Sequence, residues 1–138
     1  METIVLKFGG TSVGSTERIS AVANLIKTAC DEASPVVVVS AMSGETNRLI
    51  KLAKSFGIEP NKREFDALVS TGEQVSASLV SIALNQLGLK AKSLSAAQFG
   101  MKTTSNFSRA KILDLDKDVI FKTIEAVSYT HLRAHETR

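Results

Sequence analysis

Residues 4–15, Ile4-Val5-Leu6-Lys7-Phe8-Gly9-Gly10-Thr11-Ser12-Val13-Gly14-Ser15, decide how this 138-residue chain is read. Ile4 to Phe8 form a short apolar, β-prone run that stops at Gly9-Gly10, as a buried strand does. Beyond it Ile19, Val22, Ala23 and Ile26 recur at helical spacing. Ser15 is placed to cap that helix, and Glu17 falls in its first turn, where negative charge complements the dipole. Pro35 then opens Val36-Val37-Val38-Val39, which has no apolar–polar alternation. A β-branched run of that kind is covered on both faces, as in a parallel sheet between helices. Strand, glycine turn, helix and strand make one βαβ unit.

Downstream, Ser40-Ala41-Met42-Ser43-Gly44 is a small-residue loop, and Leu49, Ile50, Leu52 and Ala53 predict a helix ending near Gly57. Glu59-Pro60-Asn61 has turn composition. A further helix is predicted from Arg63 to Ser70. After a turn at Ser70-Thr71-Gly72 a longer one follows, with Val75, Leu79, Ile82 and Ala83 on one stripe and Val80, Leu84 and Leu87 beside it. Gly88 stands where a helix C′ glycine belongs. Lys90–Leu94 and Ala110–Leu113 predict a third and a fourth strand. The succession of elements points to a three-layer αβα domain with a mainly parallel central sheet.

The composition is that of a globular domain, with 43% hydrophobic and 22% charged residues and 2 prolines, which excludes disordered and collagen-like classes. No apolar run approaches the roughly 18 residues of a membrane span. Met1-Glu2-Thr3 lacks the basic start of a signal peptide. The expectation is a cytoplasmic chain with no membrane partner. An isoelectric point near 9.1 invites a nucleic-acid reading. The net charge is only +3, however, the charges are interspersed, and aromatics are 5% of residues. Neither a basic track nor a stacking platform is evident, so no nucleic-acid partner is expected. Cys30 stands alone and reads as a small buried helix residue.

The last eleven residues, Ser128-Tyr129-Thr130-His131-Leu132-Arg133-Ala134-His135-Glu136-Thr137-Arg138, break this texture and hold both histidines and the single tyrosine. They look like a translated sequencing adapter and are set aside from fold reasoning. That places a domain over 1–127 and a non-native tail over 128–138. His131 and His135 share a helical i,i+4 spacing, but no third ligand accompanies them and no metal site is assigned.

Three segments could carry chemistry. Lys7-Phe8-Gly9-Gly10-Thr11-Ser12 lies at the carboxyl end of the first strand, where open α/β sheets bind ligands. Glycines before a helix N-terminus present backbone N–H groups to an anion and let polyphosphate approach closely. The spacing is neither a Walker loop nor a dinucleotide fingerprint. Lys7 can instead reach phosphates from the strand itself. A plain tight turn with a solvated lysine explains the same residues. Ser40-Ala41-Met42-Ser43-Gly44-Glu45-Thr46-Asn47 follows the second strand on the same sheet edge, where Ser43 or Thr46 could equally be an ordinary cap. Ser70-Thr71-Gly72-Glu73-Gln74 reads as a turn with Glu73 in the first turn of the next helix, where it could simply complement the dipole.

Taken together the segments are far more specific. Lys7–Val13, Val38–Gly44 with Thr46-Asn47-Arg48-Leu49, Gly72–Ala77, and Gln98-Phe99-Gly100-Met101-Lys102-Thr103-Thr104 resemble the start of the aspartokinases, from Met1 to Val127. The resemblance implies an amino-acid kinase fold, incomplete here on its C-terminal side. It also implies ATP- and Mg²⁺-dependent phosphorylation of the side-chain carboxylate of L-aspartate, the first step toward lysine, threonine and methionine. On the same ground Lys7 is the catalytic residue and Lys7, Phe8, Gly9, Gly10, Ser12 and Ser40 bind ATP. Thr46 and Glu73 contact aspartate, and no residue is assigned as a metal ligand. Family members usually form homo-oligomers. The Gly-Arg-Gly-Gly-Ser-Asp stretch, the base-binding segments and the ACT domains of the family are not in this sequence, so the chain by itself is expected to be inactive. Two alternatives stand beside this reading: a kinase for another amino acid, and a short non-catalytic nucleotide-binding or interaction module.

Overall fold

The computed structural model describes residues 1–126 and 129–133. The boundary drawn at Val127 and the His131–His135 spacing lie partly outside the described residues. In chain order the elements are β1 (Thr3–Phe8), α1 (Thr16–Ala29), β2 (Ser34–Val39), α2 (Glu45–Lys54), α3 (Lys62–Gln86), β3 (Ala91–Leu94), β4 (Lys102–Thr103), β5 (Ile112–Asp114), α4 (Lys117–Ala126) and β6 (Tyr129–Arg133). Four strands make a parallel sheet in the order β1-β2-β6-β3.

Right-handed crossovers put α1 and α3 on one face of this sheet, where they touch each other. The crossover from β3 back to β6 sends α4 to the other face. The αβα layering expected from the sequence is thus present, with β1 and β3 as open edges among the described residues. The stretch set aside as adapter-like is not outside the fold: Tyr129–Arg133 fills the slot between β2 and β3, with Val36 opposite Thr130 and Lys92 opposite the same residue.

The main core lies between the sheet and the α1–α3 layer. Ile19, Val22, Ala23 and Ile26 of α1 are buried as their spacing predicts, against Val37 and Val39 of β2 and Val80 and Leu84 of α3. The Ser15 hydroxyl accepts the Arg18 N–H at 3.2 Å and starts α1. Cys30 is buried beyond its last turn and donates its thiol to the Ile26 carbonyl. A second cluster of Leu94, Ala96 and Phe99 packs with Leu115, Val119 and Ile120.

Four expectations need correction. β1 is not buried on both faces: its residues alternate, and Val5 is 67% exposed because β1 is a sheet edge with one face bare. The helix predicted to stop at Ser70 runs through to Gln86 as one 25-residue element, because Ser70-Thr71-Gly72 packs as helix surface instead of turning. Its length and composition would suit a membrane span, which a reading split at Gly72 passed over, yet here it is the core helix of the domain. Of the predicted stripe Val75 and Ile82 face outward, at 46% and 56% exposure, while Leu79 and Ala83 pack on the core beside Val80 and Leu84. Finally, the fourth strand forms apart from the main sheet: β5 pairs antiparallel with β4, which the sequence had not suggested.

Gly88 does end α3 as expected. It adopts φ +83° and donates to the Asn85 carbonyl, while Leu89 donates to Leu84, which is the paired bonding of a Schellman stop.

Candidate functional site

The loops after β1 and β2 leave the same end of the sheet, because the strands are parallel and in register, with Lys7 opposite Val38 and Phe8 opposite Val39. Backbone bonds stitch them together. Ser40 donates its N–H to the Phe8 carbonyl at 3.1 Å, and Ser43 donates to the Gly10 carbonyl at 3.0 Å. Within the first loop Ser12 donates to the Gly9 carbonyl at 3.0 Å, closing the turn that delivers the chain to α1.

The glycines in this end are there for space. A Cβ on Gly10 would lie 2.7 Å from the Ala41 carbonyl oxygen, closer than a carbon can sit to backbone. A Cβ on Gly72 would lie 3.0 Å from the Ala41 Cβ and 3.5 Å from Leu49 Cδ1. Ala41 is therefore held between the glycine loop on one side and the middle of α3 on the other. Gly9 differs: a Cβ there meets nothing within 4 Å, so its side of the loop opens onto free space. A ligand can approach the backbone at that point without displacing protein.

Lys7 is exposed, on the sheet face opposite Val37 and Val39, since strand neighbours alternate sides. Ser40 is half-buried, and Thr46 is half-buried in the first turn of α2. Neither Ser43 nor Thr46 caps that helix. Gly44 does so at φ +83°, with no side-chain cap bond. Glu73 is not in a first turn but eleven residues into α3, and at 6% exposure it is buried beside Gly72. Its dipole explanation therefore fails, and its burial calls for another one. The structure thus packs Gly10 and Gly72 against Ala41, the neighbour of Ser40; Lys7, Gly9 and Ser12 lie at and beyond the end of β1, Thr46 on α2 and Glu73 on α3.

Charges near these loops are already engaged. A backbone hydrogen bond at the start of α1, then the Ser15 and Thr16 hydroxyls, hold the Glu17 carboxyl below its ordinary range. The Arg48 guanidinium reaches Glu45 at 2.6 Å and lowers its carboxyl likewise, against a smaller opposing effect of burial.

Glu73 also lines a cavity of about 330 Å³ between the first half of α3 and the segment 103–110, together with Asp66, Ser70, Thr104 and Phe107. Lys7, Gly9, Gly10, Ser12, Ser40 and Thr46 are outside its wall. Asp66 and Ser108 are joined across it by two hydrogen bonds, at 2.6 Å to the Ser108 N–H and 3.2 Å to its hydroxyl. Sequence reasoning missed both, because Asp66 reads only as a charge on a helix and Ser108 has no pattern around it. It missed Ala41 too, whose role appears only when two glycines are seen to face it.

The Gln98–Thr104 segment divides in two. The Gln98 side chain accepts the Ser95 N–H at 2.7 Å, Phe99 is buried, and Gly100 at φ +67° lies against Asp116, so this half is structural. Only Thr103 and Thr104 reach the cavity.

Comparison with known proteins bears on the family and the fold. The aspartate kinase of Stutzerimonas stutzeri is 50% identical over 127 residues, covering 91% of this chain and 31% of the relative. The aspartokinase of Helicobacter pylori is 47% identical over 123 residues, covering 88% of this chain and 30% of the relative. The chain thus spans about a third of the length of the curated relatives it matches. The crystal structure of aspartate kinase from Synechocystis superposes with a TM-score of 0.77 at 41% identity, over 97% of this chain and 22% of that one. E. coli aspartokinase III, solved with aspartate and ADP, shares the fold with a TM-score of 0.82 at 19% identity, over 96% of this chain and 40% of its own. The sequence model of the amino acid kinase family matches residues 2–130. With a family match over nearly all of its length, the chain belongs to the amino acid kinase family.

Proposed function

We propose that residues 1–127 are the N-terminal third of an aspartate kinase and that 128–138 are an adapter-derived tail. The parent enzyme transfers the γ-phosphoryl group of ATP to the side-chain carboxylate of L-aspartate, at the head of lysine, threonine and methionine synthesis, in the cytoplasm and as a homo-oligomer. The observation that supports the reading is the packing of Gly10 and Gly72 on either side of Ala41, which joins the glycine loop after β1 to the part of α3 that carries the buried Glu73.

Each residue then has a task. Phe8, Gly9, Gly10 and Ser12 shape the loop along which the ATP phosphates lie, the open side of Gly9 giving the close approach. The Lys7 ammonium, at the strand end, offsets the charge that spreads over the phosphoryl oxygens in transfer. Ser40 is next to the transferred group. Glu73 receives the ammonium of aspartate in a charge-assisted bond, and Thr46 orients the substrate from the opposite helix. One aspartate carboxylate oxygen forms the new bond to the γ-phosphorus as the bond to the β,γ-bridging oxygen breaks, and ADP leaves with that electron pair. The attacking group is already ionised at neutral pH, so no general base is required.

The described residues contain no group of three His, Cys, Asp or Glu side chains that could cage a metal ion. They do not fit a dedicated protein site for Mg²⁺, whose ligands in such reactions are largely phosphate oxygens and water.

The test is to recover the reading frame beyond residue 127, using a library with a different adapter, and to assay its product. Aspartate-dependent ADP release and hydroxamate formation are expected, with no turnover from the 138-residue chain alone. A product that phosphorylates another amino acid and leaves aspartate untouched overturns the substrate. Turnover by the short chain overturns the view that it is an inactive part.

A further inference from the structure

We propose that Asp66 is a positioning residue: by holding Ser108 it fixes the 103–110 segment as the outer wall of the cavity lined by Glu73. The inference rests on the reading of Glu73 as the partner of the amino-acid substrate. Asp66 and Glu73 stand seven residues apart on α3, two turns along one face, and both line the cavity. The wall opposite comes from a part of the chain 42 residues further on, so the cavity exists only while that segment is held against α3.

The segment is fixed at two points. At its neck Thr104 donates its N–H to the Lys111 carbonyl at 2.9 Å, and its hydroxyl accepts the Lys111 N–H at 3.0 Å. At its tip the Asp66 carboxylate accepts both the backbone N–H and the hydroxyl of Ser108. Ser108 has φ +66°, alone among the described non-glycine residues in lying there. A side-chain-bearing residue holds that conformation only where its surroundings enforce it. Here the enforcing group is a carboxylate, whose bonds to N–H and O–H donors are stronger than neutral ones. Phe107, next to the held residue, is thereby kept in the cavity wall. The wall limits the volume beside Glu73 and so the size of the amino acid that fits there.

The test uses the full-length enzyme from the recovered reading frame with Asp66→Ala, Asp66→Asn and Ser108→Gly. It reads amide exchange across residues 104–110, and L-aspartate and ATP binding in separate titrations. Asp66→Ala is expected to exchange and to release aspartate about tenfold more readily, the change that one lost restraint of ordinary strength gives, with ATP affinity unmoved. Asp66→Asn keeps one acceptor for the Ser108 N–H and recovers most of both. Ser108→Gly keeps the backbone bond, adopts φ +66° freely and behaves as the parent chain. Exchange in Asp66→Ala equal to the parent's overturns the proposal, as does an equal loss of ATP affinity, which marks a general structural role. A parent chain that binds no L-aspartate while the exchange contrast holds supports the fixed wall and overturns the substrate reading instead.

Discussion

The Ser43 N–H donates to the Gly10 carbonyl at 3.0 Å, and this bond ties the loop after β2 to the loop after β1 directly above the Ala41 carbonyl. Because a Cβ on Gly10 would meet that carbonyl at 2.7 Å, Gly10→Ala forces the two loops apart. We expect a loss of about 1–3 kcal/mol, the usual range for overpacking, read as a lower urea midpoint with an unchanged slope.

Gly72→Ala sets two effects against each other. Alanine favours a helix interior by about 1 kcal/mol over glycine, but its methyl would touch Ala41 Cβ at 3.0 Å inside a packed contact. The contact is expected to win, so the variant is less stable. Adding Ala41→Gly should restore most of the loss, and a double-mutant cycle should give a coupling energy of about 1 kcal/mol. Additive losses would mean that the two residues do not meet.

Lys7 is exposed at a strand end, and replacing it should leave stability within about 0.5 kcal/mol. In the full-length enzyme Lys7→Met should lower turnover by roughly 10²–10³-fold, as the loss of a transition-state charge partner does. Normal turnover from Lys7→Met would remove this residue from the mechanism.

The Glu45 carboxyl is held below its ordinary value by the hydrogen bond from Arg48. A carboxyl depressed in the folded state contributes stability above its unfolded pKa and loses it as pH falls through the folded one. Arg48 is 60% exposed, so solvent screens the pair and its contribution is small. Arg48→Ala should therefore lower the neutral plateau slightly and leave stability at the acid end unchanged, which makes the limb below about pH 4.5 shallower. Thermal melts from pH 3 to pH 7 would show the difference.

What the sequence disclosed depended on whether the signal was local. Ser15, the Ile19–Ile26 spacing, the four valines and Gly88 each state their own structure, and each is found as read. Ser70-Thr71-Gly72 misled because its composition is that of a turn, whereas its conformation is set by α3 packing against Ala41. Val75 and Ile82 misled because helical periodicity locates an apolar stripe without saying that another element covers it. Of the candidate site, the position of the glycine loop and Ser40 after two parallel strands was legible. The burial of Glu73 and the bond from Asp66 to Ser108 depend on contacts between distant segments, and no spacing records them.

The placement of β6 decides what β2 offers to a neighbour. β2 and β3 are not paired to each other; each is paired to β6, whose Thr130 lies opposite Val36 across 93 intervening positions of sequence. Main-chain pairing reads no side chain, so the slot between β2 and β3 suits any extended strand of matching register. With that slot empty, β2 would show an unpaired parallel edge of valines and β3 would stand apart from β1 and β2.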